Sequence, residues 1–323
     1  MKKDKHGPFL PLLLLLMLIP AVVFSVSRGT KEPDSAMTPY KAERYILPNN
    51  RIIENLLPFL ASESDNPSDK AQVPDGSDTS EQVTIKVRND SGYTVDVQEL
   101  LDMGVRVPLI ESGVQVIIVH THGTEAYTPS GSDTYTESDE LRTLDSNYNV
   151  LRVGEELKNA LEEKGIKAVH CTVLCDHPQY SGAYDRSREA IEEMLSLYPE
   201  AQIVIDLHRD AVATADGGYY KADAEIDGRT AAQLLFVVGT DEGGLSHPDW
   251  RENMSFQLRL HQRAEELYPG LMRPINVRSA RFNQHFRTGS MLLEVGTCAN
   301  YLEEALYSAR LFANVLADVL KNG

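Results

Sequence analysis

Three short polar clusters interrupt otherwise apolar stretches of this sequence. The first contains His120 and His122, the second contains His208, and the third is Glu294 within an apolar run. A single histidine at such a place is more often a hydrogen-bonded structural residue, and a buried glutamate can pair with an arginine. Charged groups are nevertheless rarely buried without a partner or a metal. The coincidence of the three clusters therefore favours one chemical centre.

A zinc centre accounts for these residue types together. A catalytic zinc takes three nitrogen or oxygen ligands from the protein and leaves a fourth position for water. The metal raises the acidity of that water, and a neighbouring carboxylate removes its proton. In this interpretation two histidines from separate clusters bind Zn2+, one of them His208 and the other from the pair His120 and His122, and Glu294 is the general base.

The third ligand of the predicted zinc site is less sharply defined. Asp145 is the first choice because it lies just before a predicted helix, although the same position also suits a helix N-cap. Glu125 and Glu137 are the alternatives for the third ligand. His120 is the alternative to His122 for one of the two histidine positions.

The polar clusters follow segments with strand and helix periodicity. Predicted strands cover residues 83–87, 114–120, 166–174, 203–207, 219–226, 230–238 and 291–295, and predicted helices cover 97–103, 149–164, 187–198, 253–268 and 301–321. Apolar strands that alternate with helices predict an α/β fold with a mixed, mostly parallel sheet covered by helices on both faces. Ligand sites in such folds lie at the carboxyl ends of strands, where the three clusters are expected.

The first 82 residues differ in character from the rest. Three lysines within the first five residues precede an apolar run over residues 8–26, which is about long enough to span a bilayer. We predict a cytoplasmic stub and transmembrane anchor over residues 1–27, with a cleaved signal peptide as the alternative. Residues 28–82 read as a flexible linker. The catalytic domain, residues 83–323, is then predicted to lie outside the cytoplasm.

Composition limits the function classes. The chain has 31 Lys and Arg against 48 Asp and Glu, a formal net charge of −17. This charge argues against sequence-independent binding to nucleic acid or anionic lipid, since both need a positive surface, and a local basic groove is the open alternative. Three cysteines are too few for a disulfide scaffold. If the substrate carries carboxylates, we expect the cleft to be less acidic than the opposite face.

A set of motifs in this order resembles the stage II sporulation protein P family. The resemblance covers roughly Val83 to the C-terminus. The segments that carry it are His120-Thr-His-Gly-Thr-Glu-Ala-Tyr127, Arg142-Thr-Leu-Asp145, Asn149-Val-Leu-Arg-Val-Gly154, Tyr184-Asp-Arg-Ser187, Asp206-Leu-His-Arg-Asp-Ala211, Phe236-Val-Val-Gly239, Asn283-Gln284 and Leu293-Glu-Val-Gly296.

The resemblance implies an N-acetylmuramoyl-L-alanine amidase-like fold and zinc-dependent cleavage of the bond between muramic acid and the stem peptide, with peptide crosslinks as a further substrate. It also implies a membrane anchor, a role in engulfment of the forespore at the septal or engulfing membrane, and stage II sporulation proteins D and M as partners. Carried over residue by residue, the resemblance implies that His122 and His208 are the metal histidines, with His120 as the alternative to His122, and that Glu294 is the catalytic glutamate. Amidases of this fold carry a glutamate as the middle ligand just before the first helix. This chain has Asn147 there, with Asp145 two residues earlier.

Three further residues are predicted to contact the substrate. Arg186 is expected to line the groove, because arginine binds the carboxylates that cell-wall peptides carry. Arg209 and Asn283 are predicted with it from their places in the motifs, and the alternative for Arg209 is an ion pair with Asp206 or Asp210. Two other functions stay open: a zinc endopeptidase or carboxypeptidase acting on stem peptides, and a peptidoglycan-binding scaffold without catalysis.

Overall fold

The computed structural model describes residues 84–322, which contain nine strands and five α-helices. The strands are β1 Val87–Asn89, β2 Val116–Val119, β3 Ala168–His170, β4 Ile203–Asp210, β5 Asp223–Ile226, β6 Arg229–Ala232, β7 Leu234–Gly239, β8 Ile275–Arg278 and β9 Gly289–Thr297. The helices are α1 Val97–Asp102, α2 Val150–Glu163, α3 Ala183–Leu197, α4 Trp250–Leu267 and α5 Leu302–Asn322. A short 3-10 turn covers Gln284–Phe286.

Seven of these strands form the central sheet, in the order β1-β8-β7-β9-β4-β2-β3. Every neighbouring pair is parallel except β7 and β9, which run antiparallel. The predicted mixed, mostly parallel sheet is therefore confirmed. Strands β5 and β6 form a separate hairpin, whose turn at Asp227 and Gly228 has positive φ at both residues. This backbone conformation matches the right-handed twist of a hairpin.

Alternating side chains of β2 show how the two faces of the sheet are covered. Val116 and Ile118 belong to the large core beneath α2, α4 and α5, whereas Ile117 and Val119 pack with Ile191 of α3 on the other face. This alternation follows from the two-residue repeat of a strand. Helices therefore cover both faces, as predicted, and a sheet buried in this way explains why its strands are apolar throughout.

Most predicted elements exist, but several boundaries moved. The predicted strand over 166–174 is reduced to β3, and the predicted strand over 230–238 is divided between the hairpin and β7. Strand β8 was not predicted. It follows Pro274 and includes Asn276 and Arg278, so only two of its four residues carry an apolar signal. Its pairing with β1 and β7 makes it a strand.

The predicted anchor over residues 1–27 and the predicted linker over residues 28–82 lie outside the described residues. Within residues 84–322, none of the helices combines the length and the apolar character that crossing a membrane requires.

Candidate active site

The three polar clusters meet at one edge of the sheet. Strands β2, β4 and β9 are parallel neighbours, so their carboxyl ends point the same way. His208 and Glu294 lie directly across from each other in the β4–β9 register. The segment that follows β2 carries His122, whose ring centroid lies 5.4 Å from that of His208. Parallel pairing has thus assembled residues that are up to 172 positions apart in the chain, from His122 to Glu294.

His122 is buried and keeps one ring nitrogen unused. Its ring stacks on Tyr180 with 4.4 Å between centroids, and its edge meets Tyr184 at 5.6 Å. Among the described residues, no hydrogen-bond partner reaches its Nδ1, which is buried. Burial lowers the pKa of His122, so the imidazole is neutral. A neutral ring with a free nitrogen is the form that binds a metal.

His208 lies between two carboxylates. Its Nδ1 is 3.3 Å from Glu125 Oε2, and its Nε2 is 2.9 Å from Asp206 Oδ1, at an angle that does not make a hydrogen bond. Burial by itself would lower the pKa of His208. The charges of Asp206 and Glu125 outweigh burial and raise the pKa well above its ordinary value. Thr121 holds Asp206 in turn through its backbone N–H and its hydroxyl.

Glu125 is an ionised carboxylate at the centre of the site. Its Oε2 accepts a hydrogen bond from the backbone N–H of Arg209, and its Oε1 lies 3.5 Å from the guanidinium of Arg142. Burial would raise the pKa of Glu125, but His208 and Arg209 lower it to about 2. Glu125 is therefore a permanent negative charge beside His208.

The pKa of Glu294 is shifted in the opposite direction from that of Glu125. Its Oε2 is buried and has no hydrogen-bond partner within the described residues. Burial raises the pKa of Glu294 to about 8, and the charges of Glu125 and Asp210 act in the same direction against His208. A carboxyl group whose pKa lies near neutrality can accept and return a proton, which is what a general base requires.

The donor set fits zinc in type and burial. Buried atoms without hydrogen-bond partners among the described residues include His122 Nδ1 and Glu294 Oε2, and the Nδ1 of His208 faces Glu125 Oε2 at 3.3 Å. Imidazole nitrogen and carboxylate oxygen are ligands that zinc takes. Across residues 84–322, however, no three His, Cys, Asp or Glu side chains are arranged tightly enough to enclose an ion. The structure therefore brings the ligand types together without a formed coordination shell.

The remaining candidates for metal binding lie elsewhere. Asp145 is exposed, and its Oδ1 accepts hydrogen bonds from the backbone and the side chain of Asn147. The N-cap alternative for Asp145 is wrong, because Asn149 caps α2 by accepting from the backbone of Leu151. Glu137 is exposed and lines a separate pocket. Of the three candidates for the third ligand, the structure places only Glu125 beside the two histidines.

His120 differs from His122 in its contacts. Its Nδ1 lies 2.8 Å from the carbonyl oxygen of Leu207, and its Nε2 lies 2.8 Å from Nε2 of His170. Both ring nitrogens are thus engaged. Burial lowers the pKa of His120 to about 3, so the ring is neutral.

Arg186 holds a loop at the edge of the site. Its guanidinium donates to the backbone carbonyls of Cys175, Gln179 and Ser181. These bonds fix the segment that carries Tyr180, which stacks on His122. Substrate contact by Arg186 stays a prediction, and a guanidinium with three backbone partners has little capacity left for it.

Arg209 and Asn283 are buried positioning residues in the same way. Arg209 donates to the carbonyls of Ala126 and Leu141, and the ion pairs predicted for it with Asp206 or Asp210 are replaced by backbone bonds and a 3.9 Å approach to Glu125. Asn283 donates to the carbonyl of Tyr184 and to the hydroxyl of Ser187. A role in substrate binding stays a prediction for both.

The chain matches the model of the family described as Stage II sporulation protein P over residues 46–317. It belongs to this family. A curated relative, Stage II sporulation protein P of Bacillus subtilis (strain 168), is 30% identical over 215 residues. The match covers 63% of this chain and 50% of the relative, so the chain spans about half the length of that relative.

Solved structures that resemble the chain are N-acetylmuramoyl-L-alanine amidases. The apo form of Ami1 from Mycobacterium abscessus is 9% identical with a TM-score of 0.37, and the match covers 65% of this chain and 98% of Ami1. The amidase from Clostridium difficile 630 is 14% identical with a TM-score of 0.37, covering 66% of this chain and all of the amidase. A TM-score below 0.5 does not establish a shared fold.

Three residues of the site were not predicted from the sequence. Tyr180 and Tyr184 form the aromatic wall around His122. Arg142 lies 2.8 Å from Asp176 and sits over the ring of Tyr180. Tyr184 and Arg142 begin two of the motifs of the stage II sporulation protein P family, so their position in those motifs was an available signal. Tyr180 lies outside every motif and had none.

Proposed function

We propose that this protein is a zinc-dependent peptidoglycan hydrolase that cleaves the N-acetylmuramoyl-L-alanine amide bond during sporulation. The observation that carries the proposal is the pairing of a free, neutral His122 with His208, Glu125 and an unpartnered buried Glu294 at the carboxyl ends of three parallel strands. Membership of the family supports the sporulation context. Peptide crosslinks are the second proposed substrate.

The metal would be held by His122, by Glu125 and by the Nδ1 of His208 that faces Glu125. It would take the place of the proton that the charges of Asp206 and Glu125 favour on His208. When bound, zinc supplies a Lewis acid for the scissile carbonyl and raises the acidity of a bound water. The choice of Glu125 over Asp145 follows from its place beside His208. Arg209 and Arg142 keep the Glu125 carboxylate ionised and oriented, in the manner of groups that support metal ligands.

Glu294 is proposed to act as general base and then as general acid. Its Oε2 takes a proton as water oxygen bonds to the carbonyl carbon of the scissile amide. The same proton passes to the amide nitrogen, the C–N bond breaks, and the stem peptide leaves with a free amino group. Burial of Glu294 serves this exchange, because a carboxyl group with a raised pKa returns its proton readily.

The proposed setting follows from the sequence and the family. We place the catalytic domain outside the cytoplasm at the engulfing membrane, held by the predicted anchor over residues 1–27. Peptidoglycan is the substrate, and stage II sporulation proteins D and M are proposed partners.

The test is digestion of purified peptidoglycan by the full-length chain, with products identified by mass and zinc content measured on the same sample. Free stem peptides from the parent, lost with Glu294→Gln and kept with the exposed control Glu137→Gln, are expected. Products that show only opened crosslinks would reassign the protein as an endopeptidase. Absence of both zinc and cleavage would contradict the enzyme proposal and favour a peptidoglycan-binding scaffold.

A further inference from the structure

An exposed tyrosine lies directly against the candidate active site. Tyr180 is 58% exposed, and its ring stacks on that of His122 with 4.4 Å between centroids and 9° between planes. A single exposed apolar side chain is ordinary on a protein surface. Tyr180 is distinguished by its contact with a proposed metal ligand and by the way in which its loop is held.

The loop before Tyr180 is fastened to the segment that follows β2. The buried carboxylate of Asp176 accepts hydrogen bonds from the backbone N–H and the hydroxyl of Thr124, and it lies 2.8 Å from the guanidinium of Arg142. Thr124 is two residues beyond His122 in the chain. The loop is therefore tied to the segment that carries the proposed metal ligand.

Arg186 on α3 fixes the same loop from the other side. Its guanidinium donates to the carbonyls of Gln179 and Ser181, the neighbours of Tyr180 in the chain, and to that of Cys175. The backbone is thus held on both sides of Tyr180. A surface that is ordered before binding loses little conformational entropy when a ligand arrives, so Tyr180 is suited to be a fixed binding surface and not a lid.

The contacts of the Tyr180 ring leave much of its surface free. His122 covers one face, and the guanidinium carbon of Arg142 lies 4.9 Å from the ring centroid. The exposed fraction of Tyr180 is larger than a ring enclosed on both faces would keep. An open aromatic surface therefore faces solvent at the edge of the candidate site.

Sugar rings bind to open aromatic surfaces. The C–H groups on one face of a pyranose carry partial positive charge, and the face of an aromatic ring is negative. This contact needs no ionised group, which suits a chain with a net charge of −17 that acts on an acidic polymer. In the proposed substrate only a lactyl group separates the sugar ring from the scissile amide, so a sugar on Tyr180 would hold that amide near His122.

We infer that Tyr180 is a binding platform for the N-acetylmuramoyl sugar next to the scissile amide. This inference rests on the proposed function. Peptide crosslinks lie further along the stem, away from the sugar, so the platform favours cleavage of the amide bond over cleavage of crosslinks. Tyr180 is then a residue that determines specificity, while the chemistry stays with the residues of the proposed metal site and Glu294.

Two probes isolate the contribution of the sugar. N-acetylmuramoyl tripeptide carries the sugar, and lactoyl tripeptide keeps the same scissile amide without it. Binding is measured by calorimetry on the full-length chain carrying Glu294→Gln, which prevents turnover, and kcat and KM are measured on the chain with Glu294 intact. The muramoyl probe should bind about tenfold more tightly than the lactoyl probe.

Three variants test whether the aromatic ring is the cause. Tyr180→Leu keeps an apolar side chain without a ring, so Kd and KM for the muramoyl probe should rise about tenfold with kcat little changed, and the constants for the lactoyl probe should stay the same. Tyr180→Phe keeps the ring and should match the parent. Leu197→Ala removes another exposed apolar side chain, at the end of α3, and should change neither probe.

A role of Tyr180 in orienting His122 would give a different result. In that case Tyr180→Leu would lower zinc content and kcat with both probes alike, because the loss would be independent of the sugar. That pattern would overturn the platform. The comparison of the two probes on the parent chain requires no variant, so it decides the matter even if Tyr180→Leu does not fold.

The outcomes separate this inference from the proposed function. Cleavage with equal affinity for the two probes overturns the platform and leaves the hydrolase. Tighter binding of the muramoyl probe that is lost in Tyr180→Leu and kept in Tyr180→Phe supports the platform even if neither probe is cleaved, in which case the catalytic proposal fails alone. A sugar preference that survives Tyr180→Leu, or no binding of either probe, overturns the platform.

Discussion

His120 and His122 are two residues apart in one motif, yet they lie in different kinds of site. His120 has a partner for each ring nitrogen, the carbonyl of Leu207 and the ring of His170, and His170 continues to Glu155 at 3.3 Å. His122 is also buried, but its Nδ1 has no partner within the described residues. A satisfied buried histidine stabilises the fold, whereas an unsatisfied one beside carboxylates is available for chemistry.

Two carboxylates, Glu155 and Glu294, also differ in whether their oxygens have partners. Glu155 contacts His170, which in turn contacts His120, and the side chain of Glu155 is about half exposed to solvent. Glu294 is paired with His208 in the strand register, and its buried Oε2 has no hydrogen-bond partner between residues 84 and 322. Incomplete hydrogen bonding, and not residue type alone, therefore marks the candidate site.

The largest effect is expected at Glu294. Glu294→Gln keeps the size of the side chain but removes its capacity to take a proton, so kcat on peptidoglycan should fall about 10³-fold. The measurement is product release per unit time by mass spectrometry. Zinc content should stay the same, and a variant that retains more than a tenth of the parent rate would exclude Glu294 as the base.

Substitution of His122 is expected to affect activity, whereas substitution of His120 is expected to affect stability. His122→Ala should lower zinc content and reduce the rate at least about 100-fold, because a ligand is lost. His120→Ala should instead lower the free energy of unfolding by about 2–4 kcal/mol, because His170 and the Leu207 carbonyl lose a buried partner. Zinc analysis and chemical denaturation of both variants check this. The reverse pattern would mean that the roles of the two residues are exchanged.

The absence of a side chain at Gly154 leaves room for the rings of His120 and His170, which contact each other. A Cβ at this position would lie 2.7 Å from Nε2 of both His120 and His170. Gly154→Ala should destabilise the protein by about 1–3 kcal/mol through this overpacking, against the gain of up to about 1 kcal/mol that alanine brings to a helix. Urea denaturation measures the difference. A net stabilisation would show that α2 moves away from the pair at no cost.

His261 on α4 tests whether an unpartnered buried nitrogen is sufficient to mark a functional residue. Its Nδ1 has no partner in the described part of the chain, but burial is the only cause that lowers its pKa, to about 4. Since the folded pKa lies below the unfolded value of 6.5, its contribution to stability is complete above pH 6.5 and is lost as the pH falls toward 4.

Between pH 7.5 and pH 5, this residue should therefore cost the parent about 2 kcal/mol of unfolding free energy, a loss that His261→Gln avoids. Denaturation of both proteins at the two pH values gives the difference directly. Peptidoglycan cleavage by His261→Gln should match the parent, because no carboxylate of the described part of the chain acts on this ring as Glu125 acts on His208. Lost activity in the folded variant would contradict that distinction.

The smallest effect is expected at Asp145, the first choice for third ligand. Asp145→Ala should change the rate less than about threefold, because the carboxylate is exposed and bonded only within its own turn. Glu125→Ala is the matched comparison and should abolish measurable zinc binding. Equal zinc loss in both variants would return Asp145 to the ligand set.

The helices and the apolar strands were determined by the sequence itself. The spacing of Val150, Val153, Leu157 and Leu161 defines one face of α2, and the left-handed Gly165 beyond its end stops it. The apolar runs of β2, β4 and β9 and the turn at Asp227 and Gly228 were equally local signals. The order of the motifs was sufficient to indicate the family.

Only the tertiary structure decided which of these residues work together. The choice of His122 over His120 depends on the ring of His170, which β3 supplies, and the choice of Glu125 over Asp145 depends on the position of His208 on β4. Strand β8 depends in the same way on neighbours that are distant in sequence. Hydrogen-bond satisfaction and burial are properties of packed neighbours, so no reading along the chain could assign them.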